Sequence, residues 1–168
     1  LTHDDHRLIM GDGSSKLRFL DPATFAELGR LEVFDGDKRV ENLNELEFVD
    51  GKIYANVLAQ DRIAIIQPDT GQVAVWIDLA ELKSRMPPLP TEPLHPVMNG
   101  IAYDAAGRRL FVTGKLWPAA RNSHCSGIRM SKTPGQSLPV TNSLATRSVS
   151  GSATHYGMQR LLWEAGGM

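Results

Sequence analysis

A single cysteine, Cys125, leaves this sequence without an internal disulfide, so the fold must rest on packing. Charge of one sign is missing too: 18 Lys and Arg stand against 19 Asp and Glu, a formal net charge of -1. No basic field exists to hold nucleic acid or an anionic membrane, which argues against polyanion binding. No apolar run approaches the ~18 residues that span a bilayer. The opening Leu1-Thr2-His3-Asp4-Asp5-His6 also lacks the charged and apolar regions of a signal peptide, so nothing here is expected to insert in a membrane. What is present is a 42% hydrophobic content over 168 residues, enough to bury a sizeable core, with one domain as the default expectation from length alone. A start at Leu1 rather than methionine points to a chain that begins within something longer.

Laid against itself, the chain shows three copies of one pattern. The first runs from Leu1 through Arg7-Leu8-Ile9-Met10, a Gly11-Asp12-Gly13-Ser14 turn and Lys16-Leu17-Arg18-Phe19-Leu20 to Asp21-Pro22-Ala23-Thr24. The second runs from Asn44-Glu45-Leu46-Glu47-Phe48-Val49 through Asp50-Gly51, Ile53-Tyr54-Ala55-Asn56-Val57 and Ile63-Ala64-Ile65-Ile66 to Pro68-Asp69-Thr70-Gly71. The third begins at Met98-Asn99-Gly100-Ile101, turns at Gly107 and fades after Trp117-Pro118. Leu1, Leu46 and Ile101 correspond, giving intervals of about 45 and 55 residues, close to those of propeller blades. Short apolar strands between Asp-Gly and Gly-Asp-Gly turns predict antiparallel hairpins. The near-continuous hydrophobicity of Ile63-Ala64-Ile65-Ile66 and Val73-Ala74-Val75-Trp76-Ile77 suits strands covered on both faces. The Asp-Pro-x-Thr and Pro-Asp-Thr-Gly segments read as scaffold turns. Helix formers from Leu79 to Arg85, ending at a proline-rich stretch, predict a short helix that lengthens the second interval. Three blades cannot close a ring that needs roughly 4 to 8, so further blades are expected upstream of Leu1.

Polar residues gather at the heads of the repeats. Asn42-Leu43-Asn44-Glu45-Leu46-Glu47 places two amides and two carboxylates beside apolar strands, and Asn99 repeats Asn44 at the equivalent position. Either these asparagines satisfy backbone groups where a strand starts, or they face a central channel as functional groups. Glu45 and Glu47, two apart, are expected on one side of the strand, where a solvated face, acid–base work and cation binding are all open. Lys115 follows Gly114 at the end of an apolar strand; the upstream glycine and helix of a phosphate loop are absent, which leaves a surface charge or a cleft cation. His3 and His6 beside Asp4 and Asp5 lack a complementary cluster and read as a solvated turn rather than a metal site.

The stretch from Asn42 to Val57, Asp61-Arg62-Ile63-Ala64, Asn99-Gly100-Ile101-Ala102-Tyr103-Asp104, and Phe111-Val112-Thr113-Gly114-Lys115-Leu116-Trp117-Pro118 together resemble the plant and bacterial type of glutaminyl cyclase, or glutaminyl-peptide cyclotransferase. The resemblance covers Leu1 to Pro118. It implies an all-β fold, part of a five-bladed β-propeller with two to three blades present. It also implies an acyltransferase that converts N-terminal glutamine of peptides or proteins to pyroglutamate with release of ammonia. Asn44 and Lys115 match catalytic and substrate-pocket positions. Leu58 stands where the family usually has a tryptophan wall, and so keeps an apolar surface without a π-face or indole donor. The family's general acid–base glutamate is expected upstream of this chain, so the polypeptide alone is expected to be inactive. No cofactor is implied for catalysis, a structural calcium is carried by plant relatives, and export or a periplasmic location follows by analogy.

After Pro118 the composition turns to Ser, Thr, Gly and Arg, with Glu164 as the only acidic residue. Residues 1–118 are therefore expected to form the propeller part. Residues 119–168 are expected to form a disordered, non-family tail, frameshifted or chimeric in origin, with a short helix at Gln159-Arg160-Leu161-Leu162-Trp163-Glu164. The rival functional readings are a noncatalytic propeller that binds peptides or serves as a scaffold, and a gene fragment without function.

Overall fold

The computed structural model describes residues 1–84, 97–115 and 129–132. The first two repeats fold as antiparallel meanders. In the first, β1 (Thr2–His3), β2 (Leu8–Gly11), β3 (Lys16–Leu20) and β4 (Glu27–Glu32) form a four-stranded sheet in chain order. A small hairpin of β5 (Phe34–Asp35) and β6 (Lys38–Arg39) leads to the second meander: β7 (Leu43–Val49), β8 (Lys52–Val57), β9 (Arg62–Ile66) and β10 (Val73–Asp78). One helical turn, α1 (Ala80–Ser84), follows where the helix formers predict it, its first N–H donating to Asp78 Oδ1 at 2.9 Å. The third repeat contributes the hairpin β11 (Met98–Asp104) and β12 (Arg109–Gly114). Among the described residues no helix is long and apolar enough to cross a membrane.

The middle sheet is covered on both faces, as its continuous hydrophobicity requires. On one face Ile53, Ala55, Val57, Ala64 and Ile66 pack with Ile9, Leu17 and Phe19 of the first sheet. On the other, Tyr54, Ile63, Ile65, Val75 and Ile77 pack with Met98, Leu110 and Val112 of the third. Strand alternation sends neighbouring residues to opposite cores. Each fully buried isoleucine contributes about 2 kcal/mol of burial free energy.

The scaffold turns repeat as well. Asp21 Oδ1 accepts from Ala23 N, Thr24 N and the Thr24 hydroxyl, closing the first turn. The second closes by Gly71 N donating to Gln67 O and Gln67 N to Gln72 O, both 2.9 Å. Phe25 and Gly71 hold the corresponding left-handed slots, with φ of 58° and 74°. Only the second slot demands glycine, because a Cβ on Gly71 would fall onto the Glu32 carbonyl.

The first strands of successive sheets lie side by side, tied by a recurring hydrogen bond. Thr2 Oγ1 accepts from Phe48 N at 3.0 Å, and Glu47 Oε1 accepts from Tyr103 N at 2.9 Å. Thr2 and Glu47 are equivalent repeat positions, as are Phe48 and Tyr103, so the same link joins first sheet to second and second to third. This use of Glu47 differs from the readings open at the sequence level: its carboxylate is half-buried and engaged with backbone rather than free for acid–base work.

The segment after Pro118 departs from the expected coil at β13 (Arg129–Lys132), which pairs antiparallel with β10 and completes a five-stranded sheet in the order β13-β10-β9-β8-β7. Main-chain pairing explains this. The outer edge of β10 offers a row of N–H and C=O groups that a strand of polar sequence can satisfy as well as an apolar one. The remainder of 119–168, including the expected helix at 159–164, and the proline-rich stretch after α1 lie outside the described residues.

Candidate functional site

Two β-bulges shape the site. The ladder between β7 and β8 shifts register between Leu43 and Leu46, and that between β11 and β12 shifts between Met98 and Ile101. These intervals occupy the same place in their repeats and contain Asn44-Glu45 and Asn99-Gly100. A bulge re-aims the side chains that it carries. Here it inserts one extra residue into β7, along which Leu43, Leu46 and Val49 are the buried positions.

The re-aimed asparagines meet: Asn44 Nδ2 donates to Asn99 Oδ1 across a separation of 55 residues, and both side chains are half-buried. Gly100 gives β11 its close fit there, since a Cβ at that position would collide with Thr113 Oγ1. The two residues that the sequence marked as equivalent are thus brought into contact by tertiary structure.

Asn56 holds both bulges. Its side chain is 0% exposed and lies, with Tyr54, on the face of β8 turned toward the third repeat. Its Oδ1 accepts from Glu45 N at 2.6 Å, inside the first bulge, and its Nδ2 donates to Met98 O at 2.9 Å, next to Asn99. A buried amide must satisfy both ends, and this one does so by joining the two hairpins. In sequence Asn56 stands within the Asn42 to Val57 stretch with no part of its own. The available signal was one amide in an otherwise apolar strand, Ile53-Tyr54-Ala55-Asn56-Val57.

Lys115 and Leu58 stand at the same end of these hairpins. Lys115 is exposed, and its N–H donates to Val97 O at 2.8 Å, so the lysine leaves β12 across from the start of β11. Leu58 follows the last residue of β8, its N–H donates to Asn42 O at 2.8 Å, and it is 41% exposed. At the level of the main chain, Lys115, Leu58 and the amide pair thus share the end of the hairpins at which β7 and β11 begin. His3 and His6 are elsewhere, in a turn where Asp4 Oδ1 accepts from His6 N and Arg7 N. Among the described residues no three His, Cys, Asp or Glu side chains gather to hold a metal ion.

Residues 1–122 match the family described as glutamine cyclotransferase. The chain belongs to this family. It is similar to the glutaminyl-peptide cyclotransferase of Arabidopsis thaliana, with 39% identity over 118 residues, which are 70% of this chain and 37% of that protein. It is also similar to the crystal structure of the Myxococcus xanthus glutaminyl cyclase, with 35% identity and a TM-score of 0.61, over 69% of this chain and 50% of that one. The chain thus spans half or less of the cyclotransferases that it matches, and the bulge asparagines, Asn56, Leu58 and Lys115 all fall within the family match.

Proposed function

We propose that this chain carries part of the substrate pocket of a glutaminyl-peptide cyclotransferase, and that its three sheets are consecutive blades of a β-propeller. The first strands of the sheets, linked side by side through Thr2 and Glu47, support a radial arrangement about one axis. The observation that carries the functional reading is the contact of Asn44 with Asn99, far apart in sequence, at the end of the hairpins where the Lys115 main chain also lies, within a family of that activity.

The reaction is an intramolecular acyl transfer on a peptide whose first residue is glutamine. The α-amine nitrogen bonds to the γ-carboxamide carbon, that carbon's bond to its amide nitrogen breaks, and the nitrogen leaves as ammonia with the proton shed by the amine. Asn44 orients the carboxamide, and the Lys115 ammonium stabilises the negative charge that develops on its oxygen. Leu58 supplies an apolar wall. Neither Glu45 nor Glu47 is assigned the proton transfer: Glu47 is engaged with Tyr103 N, and Glu45 sits in the bulge. No cofactor is required by this chemistry.

The test is ammonia release from Gln-Ala-Ala by the full-length gene product and its Asn44→Ala and Lys115→Ala variants. Turnover is expected to fall at least about 100-fold in each, the scale of losing an oxyanion donor. Unchanged rates remove both residues from the mechanism. The exposed leucine in place of the family's tryptophan favours one alternative, a noncatalytic peptide-binding module; binding of the peptide without any turnover by the parent protein would select it.

A further inference from the structure

The outer edge of β10 is held in place from within its sheet. Val73, Ala74, Val75, Trp76 and Ile77 are all buried, so both faces of the strand are covered. Trp76 is fixed further: its Nε1 donates to Asp35 Oδ2 at 3.0 Å, and the Arg62 guanidinium carbon lies 3.9 Å from the ring centroid. The strand therefore cannot turn its edge away, and the outward N–H and C=O groups must meet water or another strand. Phe34 closes the start of this edge, bridging to Gln72 and donating its N–H to Gly71 O at 2.9 Å. The remaining row, Val75–Asp78, is paired along its whole length by Arg129–Lys132.

The two strands differ in what they offer to a further strand. β10 is a run of β-branched, aromatic and small apolar residues with no proline, glycine or charge before Asp78. An open edge of that composition is a template for pairing between chains. β13 has Arg129 and Lys132 at two of its four positions, and basic residues on an outermost strand discourage additional pairing. We infer that the outer edge of β10 is a docking surface for a second copy of this chain, and that Arg129–Lys132 keeps the chain single by occupying it. The second copy fits because this edge takes an antiparallel strand, and a two-fold axis at the middle of β10 sets the β10 strands of two copies antiparallel. About an axis at Trp76, Val75 of each copy stands opposite Ile77 of the other, an apolar register. The internal pair instead sets Arg129 opposite Asp78 and, being part of the same chain, outcompetes a separate copy of equal strand affinity. The inference is independent of the cyclotransferase reading.

The test uses the 168-residue chain. Only alternate residues of an antiparallel strand aim their N–H at the partner, so Met130→Pro with Ser131→Pro removes the donor whichever of the two supplies it. Mass by light scattering is followed from about 5 to 500 μM, the range in which unpaired edges associate. The parent is expected to stay a single chain throughout, and the double variant to reach two chains and plateau there. Hydrogen exchange at Val75–Asp78 should be at least about tenfold faster in the dilute variant than in the parent, and should slow again as the variant is concentrated. If the double variant loses more than about 5 °C of Tm, the two single substitutions decide in its place. Folded variants that remain single chains overturn the inference. A parent that is already two chains overturns the capping role, and growth past two chains without a plateau overturns the two-fold pairing.

Discussion

The side-chain amide of Asn56, on β8, donates to the main-chain carbonyl of Met98, on β11, at 2.9 Å. This bond crosses from one sheet to the next at the point where the two bulged strands begin. With the second bond, from Glu45 N to Asn56 Oδ1, it makes one buried residue responsible for the relative placement of Asn44 and Asn99.

Replacing Asn56 should therefore be costly. Asn56→Leu keeps the branching of the side chain but leaves Glu45 N and Met98 O buried against hydrocarbon, and is expected to lower stability by about 2 to 4 kcal/mol. Urea unfolding measures this, and a loss below about 0.5 kcal/mol would mean that the backbone finds other partners.

The two left-handed turn slots should respond in opposite ways. At Gly71, alanine meets both an unfavourable φ and the Glu32 carbonyl, so Gly71→Ala should cost about 2 kcal/mol or more. Phe25 is exposed and occupies its slot as an ordinary L-residue, so Phe25→Gly should be neutral or slightly stabilising, within about 1 kcal/mol. Thermal unfolding of the two variants side by side checks the contrast.

The inter-sheet links predict a local signature. Thr2→Val removes the acceptor for Phe48 N, and Glu47→Ala removes the acceptor for Tyr103 N. Each is expected to cost about 1 kcal/mol and to speed hydrogen exchange roughly fivefold at that one amide. Uniform acceleration across both sheets would instead show that the links set global stability.

Alkaline pH should weaken the core between the second and third repeats. Burial, reinforced by the Asp50 charge, pushes the Tyr54 hydroxyl up to about 12 from its ordinary 10. The folded state thus favours the neutral phenol, so this contribution is complete below pH 10 and is lost as pH rises from 10 through about 12. Urea unfolding across that window should show stability falling with pH in the parent chain and a shallower fall in Tyr54→Phe. Equal slopes would assign the alkaline loss to other groups.

Strands, turns and repeat equivalence were legible in the residues because they follow from local rules. Near-continuous apolar runs, Asp-Gly turns and a recurring order of motifs need no knowledge of distant contacts. That is why Ile63 to Ile66 forms a strand covered on both faces, and why Asn44 and Asn99 were recognisable as counterparts. The family resemblance was carried by the same motifs; Lys115 already stood out at the end of its apolar strand, and the resemblance alone directed attention to Leu58.

What the residues could not disclose depends on how neighbouring sheets meet. The register shift between Leu43 and Leu46 could not be counted from the residues, because bulges are set by partner strands. The part played by Asn56 was hidden because an amide in an apolar strand has no meaning until the groups it satisfies, Glu45 N and Met98 O, are brought to it. The strand at Arg129–Lys132 was hidden because edge pairing uses main-chain groups that every polar sequence possesses. Local chemistry thus selected β-structure and named the two asparagines; the stacking of one sheet on the next made them touch, since hydrogen bonds between residues 55 apart exist only once packing has closed the distance.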